Sequence, residues 1–231
     1  MKFSLIIPCY NESANLPLLL ERCKVMTSRP DFEVILVDNG STDNSPEVLL
    51  NLLPMYSGCR SVRVDQNQGY GYGILTGLRA AKGEILGWTH ADMQTDPQDA
   101  LKSLSLFDSY GPNILVKGRR YGRPISDVFF TFGMSIFETI LLGKPLWDIN
   151  AQPTMFSRKF FESWYSPPED FSLDLYAYYQ AQLQALRVCR ISVKFGERVH
   201  GVSHWNINWV AKWKFICRTV LFSLKLRKDL F

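Results

Sequence analysis

The sequence predicts an α/β fold: one mostly parallel sheet flanked by helices on both faces, followed by a C-terminal amphipathic helical segment. Three observations predict it. Short apolar runs recur at Phe3 to Pro8, Phe32 to Val37 and Glu84 to Thr89, and each is followed by residues at helical spacing. Polar clusters at Asn11-Glu12, Asp38-Asn39, Asp65 to Asn67 and His90 to Gln94 sit where those runs and a third strand end. A chain of 231 residues, 46% hydrophobic and 21% charged, suits one large domain with its own core better than two.

The elements follow in order. Phe3 to Pro8 reads as a buried strand, and Leu16, Leu19, Leu20, Cys23 and Met26 as the inner stripe of a helix. Phe32 to Val37 is the second strand. Ser45-Pro46-Glu47 reads as an N-cap with proline in the first turn, opening a helix to about Leu53. Val62 and Val64 mark a third strand. The glycine-rich turn at 69–73 leads into a helix carrying Ile74, Leu75 and Leu78, closed by Gly83 as its cap. A fourth strand ends at Thr89, Asp96-Pro97 opens another helix, and Asn113 to Lys117 is a further strand. The second half is less regular: an apolar run from Phe129 to Leu142 around Glu138, a helix over Leu173 to Leu186, and a strand over Ile191 to Phe195.

Composition removes several classes. The five cysteines are odd in number and form no CxxC pair, so neither a disulfide framework nor a zinc site is expected, and a reduced compartment is. The first residues do not read as a signal peptide, and no run of 18 uninterrupted apolar residues suggests a spanning helix. Net charge is +4, yet Trp205 to Phe231 holds six Lys or Arg against Asp229 alone. A basic tail on a near-neutral body points to an anionic partner. Trp205, Trp209, Trp213, Ile216, Val220 and Leu224 share one helical stripe there, as in an interfacial helix, although a core-packing helix has the same pattern.

The clusters that can carry chemistry lie at the strand ends, where ligands of such sheets bind. Asp38 could accept hydrogen bonds from a base or ribose, or belong to a turn and helix cap. Asp92 and Gln94 offer alternate oxygen ligands for Mg²⁺ or Mn²⁺, or a loop with a cap. Gly69, Gly71, Gly73 and Gly77 lack the dinucleotide spacing and read as points of close backbone approach. Arg119, Arg120, Arg198, His200 and His204 could grip phosphate, with at least one of them on a solvated face.

Taken together, PCYNE at 8–12, LVDNGSTD at 36–43, QNQGYGYGILTGLRAAKGEI at 66–85 and HADMQTDP at 90–97 resemble the family-two glycosyltransferases of the Rossmann-like GT-A fold. KGRRY at 117–121 and FGERVHGVSHWN at 195–206 are similar to the dolichyl-phosphate mannosyltransferase-like branch and to enzymes of bacterial surface polysaccharides. The resemblance implies a domain over 1–204, with a nucleotide-sugar half at 1–120 and an acceptor half at 121–204, and a tail at 205–231. It implies that Pro8, Tyr10, Asn11, Glu12, Val37, Asp38, Asn39, Gly69, His90 and Ala91 hold a nucleotide-diphosphate sugar. Asp92 and Gln94 would meet a divalent metal, and Arg120, Arg198, Ser203 and His204 the donor or acceptor phosphate.

Asp92, Arg120 and Asp174 are the catalytic candidates. Asp174, like Asp170, is a candidate base, or a charge on a helix surface. The implied reaction is inverting transfer to a polyprenyl phosphate or lipid-linked saccharide, on the cytoplasmic face of a membrane, with no nucleic-acid partner. A hydroxyl acceptor of lipopolysaccharide or capsule assembly, and a non-catalytic nucleotide-sugar binding module, are the alternatives. The sequence departs from the family at His90, which stands where Asp is usual, at Asn39 for a frequent second Asp, at His204 for Lys, in the short segment between Tyr121 and Asp148, and at 148–156.

Overall fold

The computed structural model describes residues 1–200 and 209–228. Seven strands form one sheet: β1 (Phe3–Cys9), β2 (Phe32–Asn39), β3 (Cys59–Val64), β4 (Ile85–Trp88), β5 (Ile114–Tyr121), β6 (Thr154–Ser157) and β7 (Arg187–Lys194). Their order is β3-β2-β1-β4-β6-β5-β7. All pairings are parallel except those of β6, which runs antiparallel between β4 and β5. The sheet is therefore mostly parallel, as the alternating pattern predicts. The four-residue β6 gave no such signal, because a short run beside a helix has no period of its own.

The helices are α1 (Leu16–Thr27), α2 (Ser45–Leu52), α3 (Tyr70–Ala80), α4 (Gln98–Tyr110), α5 (Ile125–Leu142), α6 (Arg158–Glu162), α7 (Leu173–Leu183) and α8 (Trp209–Lys228). Alternation along β1 sorts the core into two layers. Ile6 packs with Ile74, Leu78 and the inner side of α7. Leu5 and Ile7 pack with Leu16, Leu19, Leu20 and Leu104 on the other face.

Two local expectations are corrected. Ser45 begins α2 but caps nothing in it: its hydroxyl accepts from the Glu12 amide at 2.9 Å, tying α2 to the loop after β1. Gly83 lies beyond the Ala81 cap of α3. A Cβ there would fall 2.6 Å from Ser4 N, so the glycine permits close approach to β1.

The second half holds a helix that the search for unbroken apolar runs did not single out. The apolar run at 129–142 belongs to α5, the one helix among the described residues that is long and apolar enough to cross a membrane, by length and composition only. The interrupting Ser, Thr, Asp and Glu hid it from a test for unbroken apolar runs. The strand register also fixes what lies under the site. Trp88 and Lys117 both stand opposite Thr154, so the last residue of β4, the middle of β5 and the first residue of β6 meet in one row.

Candidate active site

The carboxyl ends of β1, β2 and β4 hold the first group of residues. Asn11 adopts φ 57°, a left-handed conformation that Asn tolerates better than most residues. From there its Oδ1 accepts from the Thr42 amide at 2.8 Å, and its own amide donates to Ser41 Oγ at 3.0 Å. The loops after β1 and β2 are thereby joined. Asp38 is buried; it accepts from the Ser41 amide at 3.0 Å and from Arg63 Nη1 at 2.8 Å. Asn39 donates to the Gly69 carbonyl at 2.8 Å, while its Oδ1 is buried with no partner among the described residues.

Gly69 takes φ 111° at the N-terminus of α3. A Cβ on Gly71 would lie 2.6 Å from the Asp170 carbonyl, so the loop before α7 can close over the glycine turn. The close-approach reading of these glycines holds.

The second group gathers around His90. Burial pulls its imidazole below the ordinary value, and Asp92, Asp174, Arg120 and Arg198 all act on it electrostatically. The His90 ring rests 5.6 Å from that of Tyr70, which stacks on Phe171 at 4.8 Å. Asp92 is 6% exposed, accepts from the Gln94 amide and pairs with Arg198 Nη2 at 2.9 Å. Burial also raises the Glu12 carboxyl, with Asn15 opposing the shift through a 2.6 Å hydrogen bond. Asp92 and Arg198 act on that carboxyl too, which places the end of β1 beside the end of β4.

Behind this edge lie two charge pairs that local sequence did not announce. Lys117 Nζ is buried 3.3 Å from Asp174 Oδ1 and donates to Thr154 Oγ1 at 2.7 Å. Asp174 also accepts from Gln152 Nε2 at 2.7 Å and from the Tyr70 hydroxyl at 3.1 Å. Burial lowers Lys117 to about 8, with Asp174 opposing. Asp174 is thus an interior residue, contrary to its reading as a helix-surface charge. Arg120 makes a two-pronged contact with Asp148, whose carboxyl it holds below the ordinary value against the effect of burial. Arg123 approaches the same carboxylate at 3.8 Å.

The other expected residues fall as follows. Val37 and Ala91 are buried in the two cores, which leaves only their backbones to face a ligand. Pro8 is partly buried, and Tyr10 is exposed at the sheet edge. Arg119 is exposed, as expected for one of the arginines. Asp170 is partly exposed in the loop before α7, where it accepts from the Ser172 amide and lies 4.0 Å from Arg218. Ser203 and His204 lie outside the described residues.

The implied divalent ion finds a thin donor set. Among the described residues no group of three or more His, Cys, Asp or Glu side chains could hold a metal. Asp92 offers one carboxylate already facing Arg198, and the Gln94 amide turns to the Gly196 carbonyl at 3.3 Å. That set suits an ion held jointly with a bound diphosphate, the usual manner of Mg²⁺ in phosphate sites, and not a cage built from protein alone.

Comparison with known proteins agrees with this geometry. The architecture is the GT-A fold. The chain is similar to glucosyl-3-phosphoglycerate synthase from Mycobacterium tuberculosis, crystallised with Mn²⁺, UDP and glucosyl-3-phosphoglycerate, at a TM-score of 0.73 and 18% identity, over 98% of this chain and 79% of that one. It is similar to a mannosyltransferase from Pyrobaculum calidifontis, crystallised with GDP-Man and Mn²⁺, at a TM-score of 0.65 and 20% identity, over 87% and 58% of the two chains. Residues 4–164 match the model of glycosyl transferase family 2, and the chain belongs to that family.

Among curated relatives it is 36% identical over 110 residues to the undecaprenyl-phosphate 4-deoxy-4-formamido-L-arabinose transferase of Yersinia enterocolitica, a stretch covering 46% of this chain and 33% of the relative. It is 37% identical over 103 residues to the transferase of that name from Serratia proteamaculans, covering 42% and 31%. The matched stretch spans about a third of the length of these relatives.

Proposed function

We propose that this chain transfers a sugar from a nucleotide-diphosphate donor to a polyprenyl phosphate at a membrane surface, with inversion at the anomeric carbon. The observation that carries this reading is the convergence around His90 of two carboxylates, Asp92 and Asp174, with two arginines, Arg120 and Arg198. Each arginine is held by a carboxylate, Arg120 by Asp148 and Arg198 by Asp92, and two guanidinium groups so placed can serve two phosphate-bearing ligands. The undecaprenyl-phosphate relatives support the same acceptor class.

The residues divide the work. Asp38 and Asn39 Oδ1 can accept hydrogen bonds from ribose and base. Asp92, with Gln94 beside it, would hold a divalent ion against the donor diphosphate, where the ion supplies positive charge to the leaving group. Arg198, poised on Asp92, can swing its guanidinium to the diphosphate, and Arg120 faces the acceptor side. His90, biased to its neutral form, adds no charge and packs the wall of the site.

A phosphate acceptor is already ionised near neutral pH and needs placement only; a sugar hydroxyl needs a general base. Asp174 is 3.3 Å from Lys117 and almost wholly buried, which disfavours it as a base and favours the phosphate acceptor.

The test is a panel of UDP-, GDP- and dTDP-sugars with Mn²⁺, Mg²⁺ or EDTA, with and without undecaprenyl phosphate, following release of nucleoside diphosphate. Metal-dependent release stimulated by the lipid phosphate is expected. Asp92→Asn should lower it by roughly 100-fold or more while leaving the melting temperature in place. Release without lipid stimulation would shift the acceptor to a saccharide hydroxyl, with Asp170 as the base to test. Donor binding with no turnover on any acceptor would reduce the protein to a binding module.

A further inference from the structure

Helix α5 is amphipathic in the wrong sense for a helix that faces water. Its fully buried positions are Ser135, Glu138 and Leu142. Its exposed stripe is Ile125, Phe129, Phe132, Ile136 and Ile140, spaced three and four residues apart, with Ile125, Phe129 and Ile140 at least 70% exposed. A surface helix normally buries such a stripe and shows its carboxylates. An unbroken apolar face of this length marks an interaction surface.

We infer that the outer face of α5 is a membrane-docking surface that lies in the headgroup region of an anionic bilayer, with α8 as its basic flank. Three observations select a lipid surface as the occupant. First, α8 packs beside α5 and exposes Arg218, Lys225 and Arg227 together with Trp213 and Leu221, the mixture of cation, aromatic and aliphatic side chains that interfacial helices carry.

Second, the inner side of α5 is fastened to the domain: the Asp148 amide donates to Ser135 Oγ, and the Leu146 amide to Thr139 Oγ1. With Glu138 buried on that same side, the helix lies along the body and does not leave it to span a bilayer. Third, a cavity bounded by Phe130, Met134 and Ser135 of α5 and by Thr219 of α8 reaches Arg120. A lipid-borne phosphate could thus approach the arginine from the membrane side.

The inference deepens the reading of a polyprenyl-phosphate acceptor and rests on it for the sense of that approach, but docking itself needs no acceptor. The experiment is therefore flotation of the full chain with vesicles of phosphatidylglycerol and phosphatidylcholine that contain no polyprenyl phosphate. Wild type should float, and less so at high salt. Phe129→Glu with Ile136→Glu should raise the lipid concentration for half-maximal binding by at least about tenfold, with UDP or GDP binding unchanged as proof of folding. Phe129→Leu with Ile136→Leu should float like wild type.

Equal flotation of the Glu variant would overturn the inference. So would failure of the wild type to float, or a lipid-free dimer that the same Glu substitutions dissociate, which would make the face a contact between copies. Flotation without any sugar transfer would sink the acceptor reading and leave the docking surface standing.

Discussion

The two halves of the sheet edge are built by different means. On the donor side, at the ends of β1, β2 and β4, side chains are held chiefly by backbone groups a few residues away or one loop across, Asn11 to Thr42, Asp38 to Ser41 and Asp92 to Gln94, with the Asp92–Arg198 pair as the long-range exception. On the acceptor side, under β5 to β7, the fixed points are buried charges whose partners stand far along the chain. Lys117 meets Asp174 across 57 residues, and Arg120 meets Asp148 across 28. Short-range amide bonds tolerate the loss of one partner, since the loop can relax and water can enter. A buried charge cannot, because its remaining partner stays desolvated.

The largest expected effect lies on the acceptor side. Asp174→Ala strands the Lys117 ammonium beside Thr154 and removes the acceptor for Gln152 and Tyr70. Urea unfolding should show a loss of about 3–5 kcal/mol. The double variant Lys117→Met with Asp174→Leu, made in place of Asp174→Ala, should lose much less, since two well-packed apolar groups replace an ion pair at little cost. A loss below about 1 kcal/mol for Asp174→Ala would mean that water already solvates the pair, and the contrast between the halves would fail.

That contrast also explains how much could be read from the sequence. The donor side was legible because its chemistry is local: a buried strand followed by a polar run places Asp38 and Asp92 at a sheet edge whatever else the chain does. The four strand-helix units arrive from period alone. Lys117, Asp148, Gln152 and Asp174 were not legible as a group, because only the antiparallel insertion of β6 brings Thr154 opposite Lys117. The alternation of β5 does hold a clue, since it points Lys117 to a position where Leu115 is buried on the same face. A lysine at such a position calls for a carboxylate, but nothing local says which. Helix α5 misled for a related reason: its polar residues mark the inner face, so judging them as breaks in an apolar run hid the helix.

A middle-sized effect sits where α5 meets α8. Glu138 is fully buried on the side of α5 that meets α8, and the Ser223 hydroxyl beside it donates to the Thr219 carbonyl. Burial raises its pKa from 4.5 to about 7, with the Ser223 hydroxyl opposing the shift. The folded protein therefore holds this proton more tightly than the unfolded chain. The stability tied to it is full below about 4.5 and is lost as pH rises through about 7. The span corresponds to something on the order of 3 kcal/mol. Urea melts at pH 5 and pH 8 should differ by less in Glu138→Gln than in wild type. If the two proteins have the same pH dependence, Glu138 keeps its charge in the folded state and the α5–α8 contact is wetter than its burial indicates.

The smallest effect sharpens the comparison from the donor side. Arg63 and Asp38 form the one long-range ion pair at the end of β2, 25 residues apart at 2.8 Å, but the Arg63 side chain is 51% exposed. Solvent screens such a cation, and Asp38 keeps its short bond to the Ser41 amide when it is gone. Arg63→Gln should therefore cost no more than about 1 kcal/mol of stability and change UDP or GDP affinity by no more than about fivefold, measured by calorimetry. Should it cost as much as Asp174→Ala, the end of β2 would depend on a distant charge partner in the same way as the acceptor side. Reading a strand end from its local sequence would then have succeeded for a reason other than the local hydrogen bonds that hold Asp38 in place.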